Sequence, residues 1–504
     1  MSRTMLTGIW SANVPVLSRI DSNYKIYYPA NSANAAVYPA VQLAYHFLEN
    51  EGMTLTLSTE SAGNAANAII IAEDSTMSTG NYAVTVEGTQ LKVTAGDMFG
   101  FIGAAEYLTE TLFVDDLSYG KGFAYYGTYT GDMRETREGT NRVMFHNIWG
   151  QDPGVSGIGL NRTDENYIKL AKASIEYELA LVAAYQPDVI GFNEYLEGYR
   201  KLTSTVEPTK TELVYRMEQM GYELLEYTGT IEHGQVGNIL FYNPDKVTFT
   251  PNSLTYIHYG KMYDAEASAP EGTPGKYSAD PYPVGHLFEG KWYDTRVKSG
   301  KGAIVANFTD NTTQKSFTVC CTHFESNGQL DPNVYAQVGP NGNVYRREQG
   351  EILLAGLKDY RQSVSNAPII LGGDFNSQDT YEVPYSQTSN GITLTITDAT
   401  DPRLESVCDV LKDGGFVNAY EQAGKAAQAT SCHGYPIWNS TLERFVNYNS
   451  SLTVSESAYK GSIDHIYVYD TNDVIEECDY WNVIDKPVLS ASDHKAILLD
   501  FNID

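Results

Sequence analysis

Two kinds of apolar spacing alternate along this chain. Residues 35–50 place Val37, Val41, Ala44, Phe47 and Leu48 at intervals that line one helix face. Residues 68–72 form a short continuous apolar run, the pattern of a buried strand. Tyr82, Val84 and Val86 then alternate with polar residues, Gly88-Thr89 turns the chain, and Leu91 and Val93 alternate again, which predicts a hairpin. Residues 99–112 return to helical spacing through Ile102, Ala105, Leu108 and Leu112. Helix, strand, hairpin and helix predict a small α/β sandwich domain over residues 1–133. The Gly-, Thr- and Tyr-rich segment 120–138 reads as a linker.

From residue 134 to 504 short apolar runs recur between helical stretches. Residues 142–149 begin as a strand. Residues 167–185 carry Leu170, Ile175, Leu179 and Val182 on one helix side, and Gln186-Pro187-Asp188 stops them. Strands follow at 189–192 and 237–242, then a pair at 303–308 and 317–321. A helix over 345–360 leads to the apolar run 368–371. Later runs lie at 416–420, at 461–468 with Asp464 in its midst, and at 496–501. Between them the pattern breaks from 251 to 295, a stretch holding Tyr256, Tyr259, Tyr263, Tyr277, Tyr282, Trp292 and Tyr293. It reads as one long loop, and loops of that length are usually functional or mobile. Its rings can pack over a sheet or line a site's rim.

The chemistry-bearing side chains cluster just after these runs. In the segment 367–377, Gly372 and Gly373 permit a sharp exit and close approach of another group. Asp374 and Asn376, two apart, share a face in extended backbone, with Phe375 turned to the core. Asn193-Glu194 follow the run 189–192, and an acid there suits a hard cation better than it suits packing. His323 follows the run 317–321; such a histidine is commonly structural, although its pKa suits acid–base work. Alternation turns His146 and His465 away from Asn147 and Asp464, so both read as core residues. His433 has a weak claim to the rim. Asp245 and Asp379 read as turn residues.

Composition narrows the partners. A chain of 504 residues exceeds one typical core, so two domains are expected. Lys and Arg number 34 against 63 Asp and Glu, a net charge of −29. That balance repels polyanions unless a local basic patch or metal offsets it, and Arg346-Arg347 is the basic cluster that stands out. Tight, nonspecific binding to nucleic acid is therefore disfavoured, while turnover of a small or headgroup-type phosphoester, including a glycan-linked one, is not. The five cysteines, Cys320, Cys321, Cys408, Cys432 and Cys478, make no CxxC pair and no disulfide framework, though one incidental bridge is open to them. No apolar run reaches bilayer-spanning length, and the first residues lack a signal-peptide h-region. The 38 tyrosines and abundant Asn, Ser and Thr favour an extracytoplasmic protein with its signal removed, the alternative being cytoplasmic.

The pieces FHNIWG, PDVIGFNE, CTHFES, GGDFNS, GSIDHIYV and SDHKAIL are each weak, but together, in this order, they are specific. Residues 134–504 thereby resemble the endonuclease/exonuclease/phosphatase superfamily, which includes pancreatic-type deoxyribonuclease and inositol-polyphosphate 5-phosphatases. One departure is Asn193, where the family usually has Gln before the acid. The resemblance implies an α+β catalytic domain, a four-layer α/β/β/α sandwich of two mixed sheets with the site where strand ends meet. It implies a hydrolase that attacks a phosphomono- or phosphodiester with an activated water. Glu194, Asn147 and Asp493 would bind Mg²⁺, with Mn²⁺ or Ca²⁺ also suited to oxygen ligands. Asp464 would orient His494, Asp374 would activate or orient the water, and Asn376 would donate to a phosphate oxygen. His323 would donate to the phosphate or protonate the leaving group; spacing leaves open which of His323 and His494 is the acid. Residues 23–113 are similar to the small α/β domain ahead of the barrels of β-N-acetylhexosaminidases and α-glucuronidases, implying an accessory role. The competing functions are a metal-dependent nuclease of the same fold and a non-catalytic carbohydrate-binding or scaffold protein.

Overall fold

The computed structural model describes residues 16–29, 36, 39–40, 43–44, 46–47, 53, 55–113, 118–120, 123–129, 140–148, 175, 178–179, 181–182, 185–195, 202–227, 237–271, 273, 276, 286–288, 290–294, 301–325, 343–389, 392–425, 430, 436–439, 444–447, 462–471, 474–483, 492 and 494–503. The chain is α+β, and its larger part is built on two mixed sheets. The first has six strands in the order Glu223–Leu225, Ile239–Tyr242, Val189–Asn193, Thr140–Asn147, Ile497–Ile503 and Ile475–Val483. The second runs Val247–Phe249, Gly302–Asp310, Ser316–His323, Ile369–Asp374, Asp464–Tyr469 and Val417–Asn418, with Thr255–His258 also paired to Gly302–Asp310. Each sheet has one parallel pair at its centre, Thr140–Asn147 with Val189–Asn193 and Ser316–His323 with Ile369–Asp374.

The side-chain alternation of these strands sorts the apolar residues into three layers. Val143, Phe145, Leu240 and Leu499 of the first sheet meet Ile304, Val319, Ile370 and Ile466 of the second. On the outer face of the first sheet, Met144, Phe192 and Phe241 pack with the helical residues Ile175, Leu179, Leu213 and Met217. On the outer face of the second, Val305, Cys320 and Leu371 pack under Leu353 and Leu357 of the helix Asn343–Ser363 and Leu411 of Val407–Asp413. Ser406 caps the latter helix, accepting from Cys408 N at 3.1 Å while Asp409 reaches back to Ser406 N at 2.7 Å.

The N-terminal part forms its own six-stranded mixed sheet, ordered Thr56–Ser58, Lys25–Tyr27, Ala68–Glu73, Gln90–Ala95, Asn81–Glu87 and Ala124–Thr128. Its helix Met98–Tyr107, capped by Asp97 through a 2.8 Å bond from Gly100 N, continues as a π-helical turn over Leu108–Leu112. The helix is apolar on more than one face. Phe101, Ala104 and Leu108 join the core of the N-terminal sheet, while Ile102 and Ala105 join the cluster holding Met144, Ile148 and Leu179.

Several expectations are corrected. The segment 120–138 is not all linker, because Ala124–Thr128 is an edge strand of the N-terminal sheet; the expected boundary at 133/134 lies outside the described residues. The stretch 251–295 is not one open loop. It contains Thr255–His258 and a three-stranded sheet of Met262–Tyr263, Lys291–Tyr293 and His286–Phe288, and Tyr256, Tyr259 and Trp292 are buried packing residues. Tyr277 and Tyr282 lie outside the described residues. The strand before Asn376 does not end at the glycines but runs through them to Asp374. Asp464 opens its strand instead of lying inside it.

Candidate active site

Strand register assembles the site. In the first sheet Asn147 stands opposite Asn193, the last residue of each strand, and Glu194 follows. In the second sheet Gly302 pairs with His323, His323 with Asp374, and Asp374 with Asp464. Four neighbouring strands thus present their polar ends on one rung. The two sheets approach closely there because three glycines carry no side chain. A Cβ on Gly372 would lie 2.4 Å from the Phe145 ring of the other sheet, and one on Gly191 2.8 Å from Cys321 Sγ across the same gap. Gly373, at φ +131°, would bring a Cβ to 2.8 Å from Asn193 Oδ1 of the first sheet, as well as against the Thr322 carbonyl oxygen beside it. Its neighbour Asp374 N donates to Asn193 Oδ1 at 3.0 Å, which ties one sheet to the other. Asn193 also donates to Asn238 Oδ1 at 2.9 Å, and Asn238 to the Gly302 carbonyl at 2.8 Å.

Around Asp374 the predicted residues come together. Asn147 Nδ2 donates to Asp374 Oδ2 at 3.0 Å and to Glu194 Oε1 at 3.3 Å. His323 Nε2 lies 3.1 Å from Asp374 Oδ2 and 3.7 Å from Glu194 Oε1. Asn376 donates through its backbone to Asp374 Oδ1 at 2.7 Å and through Nδ2 to Oδ2 at 3.0 Å. His494 places Nδ1 2.9 Å from Asp464 Oδ2 and turns Nε2 to within 3.7 Å of Asp374 Oδ2. Asp374, Asp464 and His494 are 1 %, 2 % and 7 % exposed, so these charges meet with little water between them. Glu194 and Asn376 adopt left-handed backbone, at φ +61° and +50°. Asn tolerates that region; for Glu it costs of order 1–3 kcal/mol, the kind of strain that collects at functional sites. Asp493 lies outside the described residues, as does His433.

Electrostatics follow from this crowding. Burial pushes the Glu194 carboxyl up, but the positive groups of His323, Lys301 and His494 outweigh it and leave the carboxyl below its usual range. Burial likewise opposes ionisation of Asp374, and His494, His323 and Lys301 reverse it, so Asp374 is held well below the usual carboxylate range. Two ionised carboxylates therefore face one another across the Asn147 amide. Glu194, Asp374 and His323 offer ligand atoms within 4.8 Å of one another. Clustered carboxylate oxygens fit a hard divalent cation, and the Asn147 amide, whose N–H groups here meet both carboxylates, would offer such an ion its Oδ1 instead.

Several contributors were not singled out from sequence. Lys301 Nζ is in hydrogen-bond contact with His323 Nε2. Ser492 donates to the Asn147 carbonyl and accepts from His494 N at 3.1 Å, which fixes His494 to the first sheet. Thr430 Oγ1 accepts from Ile463 N and Asp464 N, each at 3.0 Å, and holds Asp464 beneath the imidazole. Only the strand register reveals Lys301. Ser492 sits within the SDHK piece, where its polarity beside the histidine was the available signal. His146 and His465 are core residues as expected: His146 joins Glu178 Oε2 (2.8 Å) to the His494 carbonyl (3.1 Å), and His465 Nε2 meets the Ser377 carbonyl (2.9 Å). Asp379 lies at a bend and outside the groups that could hold a metal, but it is more than a surface turn residue. It is buried, accepting from the hydroxyls of Tyr420 and Tyr467 and pairing with Lys412 at 2.9 Å. Asp245 does sit in a turn, its N–H donating to Asn243 Oδ1 at 3.0 Å.

The family model described as Endonuclease/Exonuclease/phosphatase family matches residues 144–494, more than half of the chain. No curated protein sequence matches. Among solved structures, D. rerio TDP2 complexed with a single-strand DNA product is 15% identical, covering 72% of this chain and 99% of that one, with a TM-score of 0.39. A mannosyl-6-phosphatase of Bacteroides thetaiotaomicron is 15% identical, with 72% and 99% coverage and a TM-score of 0.36. ANGEL2, described as a 2′,3′-cyclic phosphatase, is 14% identical, with 72% and 95% coverage and a TM-score of 0.40. Residues 1–143 lie outside the family match.

Proposed function

Because this chain belongs to the endonuclease/exonuclease/phosphatase family, a family of hydrolases acting on phosphate esters, we propose that it is a divalent-metal-dependent phosphoesterase that attacks its substrate with water. The observation that carries the reading is the convergence of Asn147, Glu194, His323, Asp374, Asn376, Asp464 and His494 at the strand ends where the two sheets meet. Glu194 and Asn147 would hold the metal, Mg²⁺ being the best match to oxygen donors, with Mn²⁺ and Ca²⁺ as the others to test. When bound, the metal supplies charge neutralisation for an already anionic ester.

The protein's own groups do the rest. Asp374, kept ionised by its cationic neighbours, accepts a proton from water or orients it. Asn376 Nδ2 donates to a non-bridging phosphate oxygen. Asp464 accepts from His494 Nδ1 and so directs Nε2 at the substrate, where an imidazolium stabilises developing negative charge or delivers a proton to the leaving oxygen. His323 is the second such donor. A small or headgroup-type substrate is favoured over nucleic acid. The chain carries a net charge of −29, and the basic pair Arg346-Arg347 is committed to structure: Arg346 is buried, donating to the Glu325 carbonyl at 3.0 Å, and Arg347 pairs with Glu405 at 2.5 Å. Residues 1–133 take an accessory part in this reading.

The test is a panel of phosphomono- and phosphodiesters assayed with Mg²⁺, Mn²⁺ or EDTA, alongside Glu194→Ala and His494→Ala. Turnover should stop on chelation and fall by two or more orders of magnitude in each variant. Unchanged turnover in either variant contradicts the assignment. A plasmid-nicking arm separates the nuclease alternative, since robust nicking with Mg²⁺ would overturn the preference for small substrates.

A further inference from the structure

We propose that His146 is a positioning residue for His494: its ring holds the His494 main-chain carbonyl and is itself braced by Glu178. The consequence for turnover rests on the phosphoesterase reading. The argument starts from what Asp464 leaves undone. Asp464 meets the His494 ring at Nδ1 only, and a ring held at one atom can still swing its Nε2 away from a substrate. The backbone that carries the ring has to be fixed as well. Two adjacent residues of the strand Thr140–Asn147 do this from two sides. The Asn147 carbonyl accepts from Ser492 Oγ, which accepts in turn from His494 N at 3.1 Å. The His146 ring, on the opposite face of the strand, meets the His494 carbonyl through Nε2 at 3.1 Å. The next residue, Lys495, is tied to the second sheet's side of the site, its N–H donating to the Thr430 carbonyl at 2.7 Å.

Packing alone does not account for the pair. Glu178 and His146 are 0 % and 1 % exposed, and their neighbours Leu179 and Met144 belong to the apolar cluster on the outer face of the first sheet. Well-packed apolar residues commonly serve such a layer as well as a buried acid–imidazole pair does. The geometry supplies the further use. Nδ1 lies 2.8 Å from Glu178 Oε2, while Nε2 faces a carbonyl oxygen, which can only accept. Two contacts to acceptor oxygens call for two protons. Both can sit on the ring, as an imidazolium beside a carboxylate, or one can sit on Nε2 and the other on the carboxyl. Nε2 donates to His494 in both forms. Glu178 thereby sets which ring nitrogen faces His494 and which way the ring is turned, as a carboxylate does for an imidazole it orients.

The experiment compares the wild-type protein with His146→Asn and His146→Gln. The amide of Asn reaches about as far as Nδ1 and that of Gln about as far as Nε2. His146→Asn therefore keeps Glu178 paired and releases the His494 carbonyl, and His146→Gln does the reverse. Activity and stability should rank the two in opposite order. In His146→Asn kcat should fall on the order of 10-fold, the range for one lost hydrogen bond, with KM and Mg²⁺ affinity within about twofold of wild type. His146→Gln should restore kcat to within about twofold, yet melt at the lower temperature, because it strands a buried carboxylate. A purely structural pair would rank both properties alike. A readout without turnover is the low-field proton resonance of His494 Nδ1–H against Asp464, identified by its absence from His494→Ala. It should shift or broaden in His146→Asn and hold its place in His146→Gln, so the assignment is decided even if no panel ester is hydrolysed. Wild-type kcat or an unmoved resonance in a folded His146→Asn protein overturns it. So does a His146→Gln protein as slow as His146→Asn, or a loss of Mg²⁺ affinity in step with kcat, which would put the effect at Asn147. If His146→Gln does not fold, the resonance in His146→Asn decides.

Discussion

Replacing Asp464 with Asn removes one charge and almost no volume, so it isolates what that carboxylate does for His494. Both Asp464 oxygens face His494 Nδ1, at 3.1 and 2.9 Å, and both side chains are buried. The two bonds from Thr430 Oγ1's backbone partners, Ile463 N and Asp464 N, hold the main chain in place, so the asparagine should occupy the same position. A hydrogen bond to a charged group contributes about 1.5–3 kcal/mol. At about 1.36 kcal/mol per decade of rate, its loss corresponds to roughly 10- to 150-fold. The fall should sit in kcat, because the partnership matters most when the imidazole carries charge in the transition state. The assay is steady-state hydrolysis of the best panel ester across pH 5–9, paired with thermal unfolding. A double substitution with His494→Ala should be no slower than His494→Ala alone, since groups acting as a unit do not lose activity additively. A folded Asp464→Asn protein within threefold of wild-type kcat at every pH would refute the reasoning, as would additive losses in the double variant.

Gly372→Ala should destabilise by about 1–3 kcal/mol, the usual cost of overpacking, because its Cβ meets the Phe145 ring at 2.4 Å between the two sheets; thermal unfolding reads this, and Phe145→Leu in the same chain should recover part of it. Glu194 and Asp374 titrate below their unfolded values, so their stabilising share is complete above about pH 4.3 and is lost as pH falls through the folded values. Metal-free Asp374→Asn protein should therefore lose melting temperature less steeply than wild type below about pH 4, and equal slopes would count against the ionised assignment. Removing residues 1–133 takes away Phe99, Ile102, Ala105 and Tyr129 and bares the cluster of Ile148, Ile175 and Leu179. The remainder should aggregate or bind hydrophobic dyes, and cooperative unfolding at the full-length melting temperature would show instead that it stands alone.

Much of this was legible because strands end where their apolar runs end. Glu194 could be placed next to Asn147 in function because two parallel strands stop together, although Thr140–Asn147 begins three residues before the first paired position, and their register makes Asn147 and Asn193 partners. Asp374 and Asn376 converge, but not through simple alternation: Asn376 leaves the strand with φ +50° and reaches back to Asp374. Hairpin register was the limit. Pairing Gly302 with His323 puts Lys301 at the site, and a slip of one residue would point it elsewhere. Runs of tyrosine in 251–295 look like a loop because Gly and Pro break any single period, although Tyr256 and Tyr259 each serve a short buried strand or its exit. Thr430 was invisible, since a lone hydroxyl 34 residues from Asp464 carries no pattern.

The left-handed turn at Asn376 raises the question of what keeps it there, and the answer lies beneath the site. Behind it, Phe375 is buried and stacks near Tyr467, with ring centroids 5.6 Å apart. His465 meets the Ser377 carbonyl, and Asp379 gathers the hydroxyls of Tyr420 and Tyr467 with the Lys412 ammonium. The segment from 375 to 379 is therefore fastened at every second residue to the strand Asp464–Tyr469 and the helices beside it. A carboxylate buried for this purpose is satisfied by three donors, which a surface turn would not need. The same strand carries Asp464 at its opening, so the support of Asn376 and the orienting of His494 are two uses of one element. Loosening Asp379 should then disturb Asn376 and Asp374 before it disturbs the sheet, and a substitution there should lower activity more than it lowers the melting temperature.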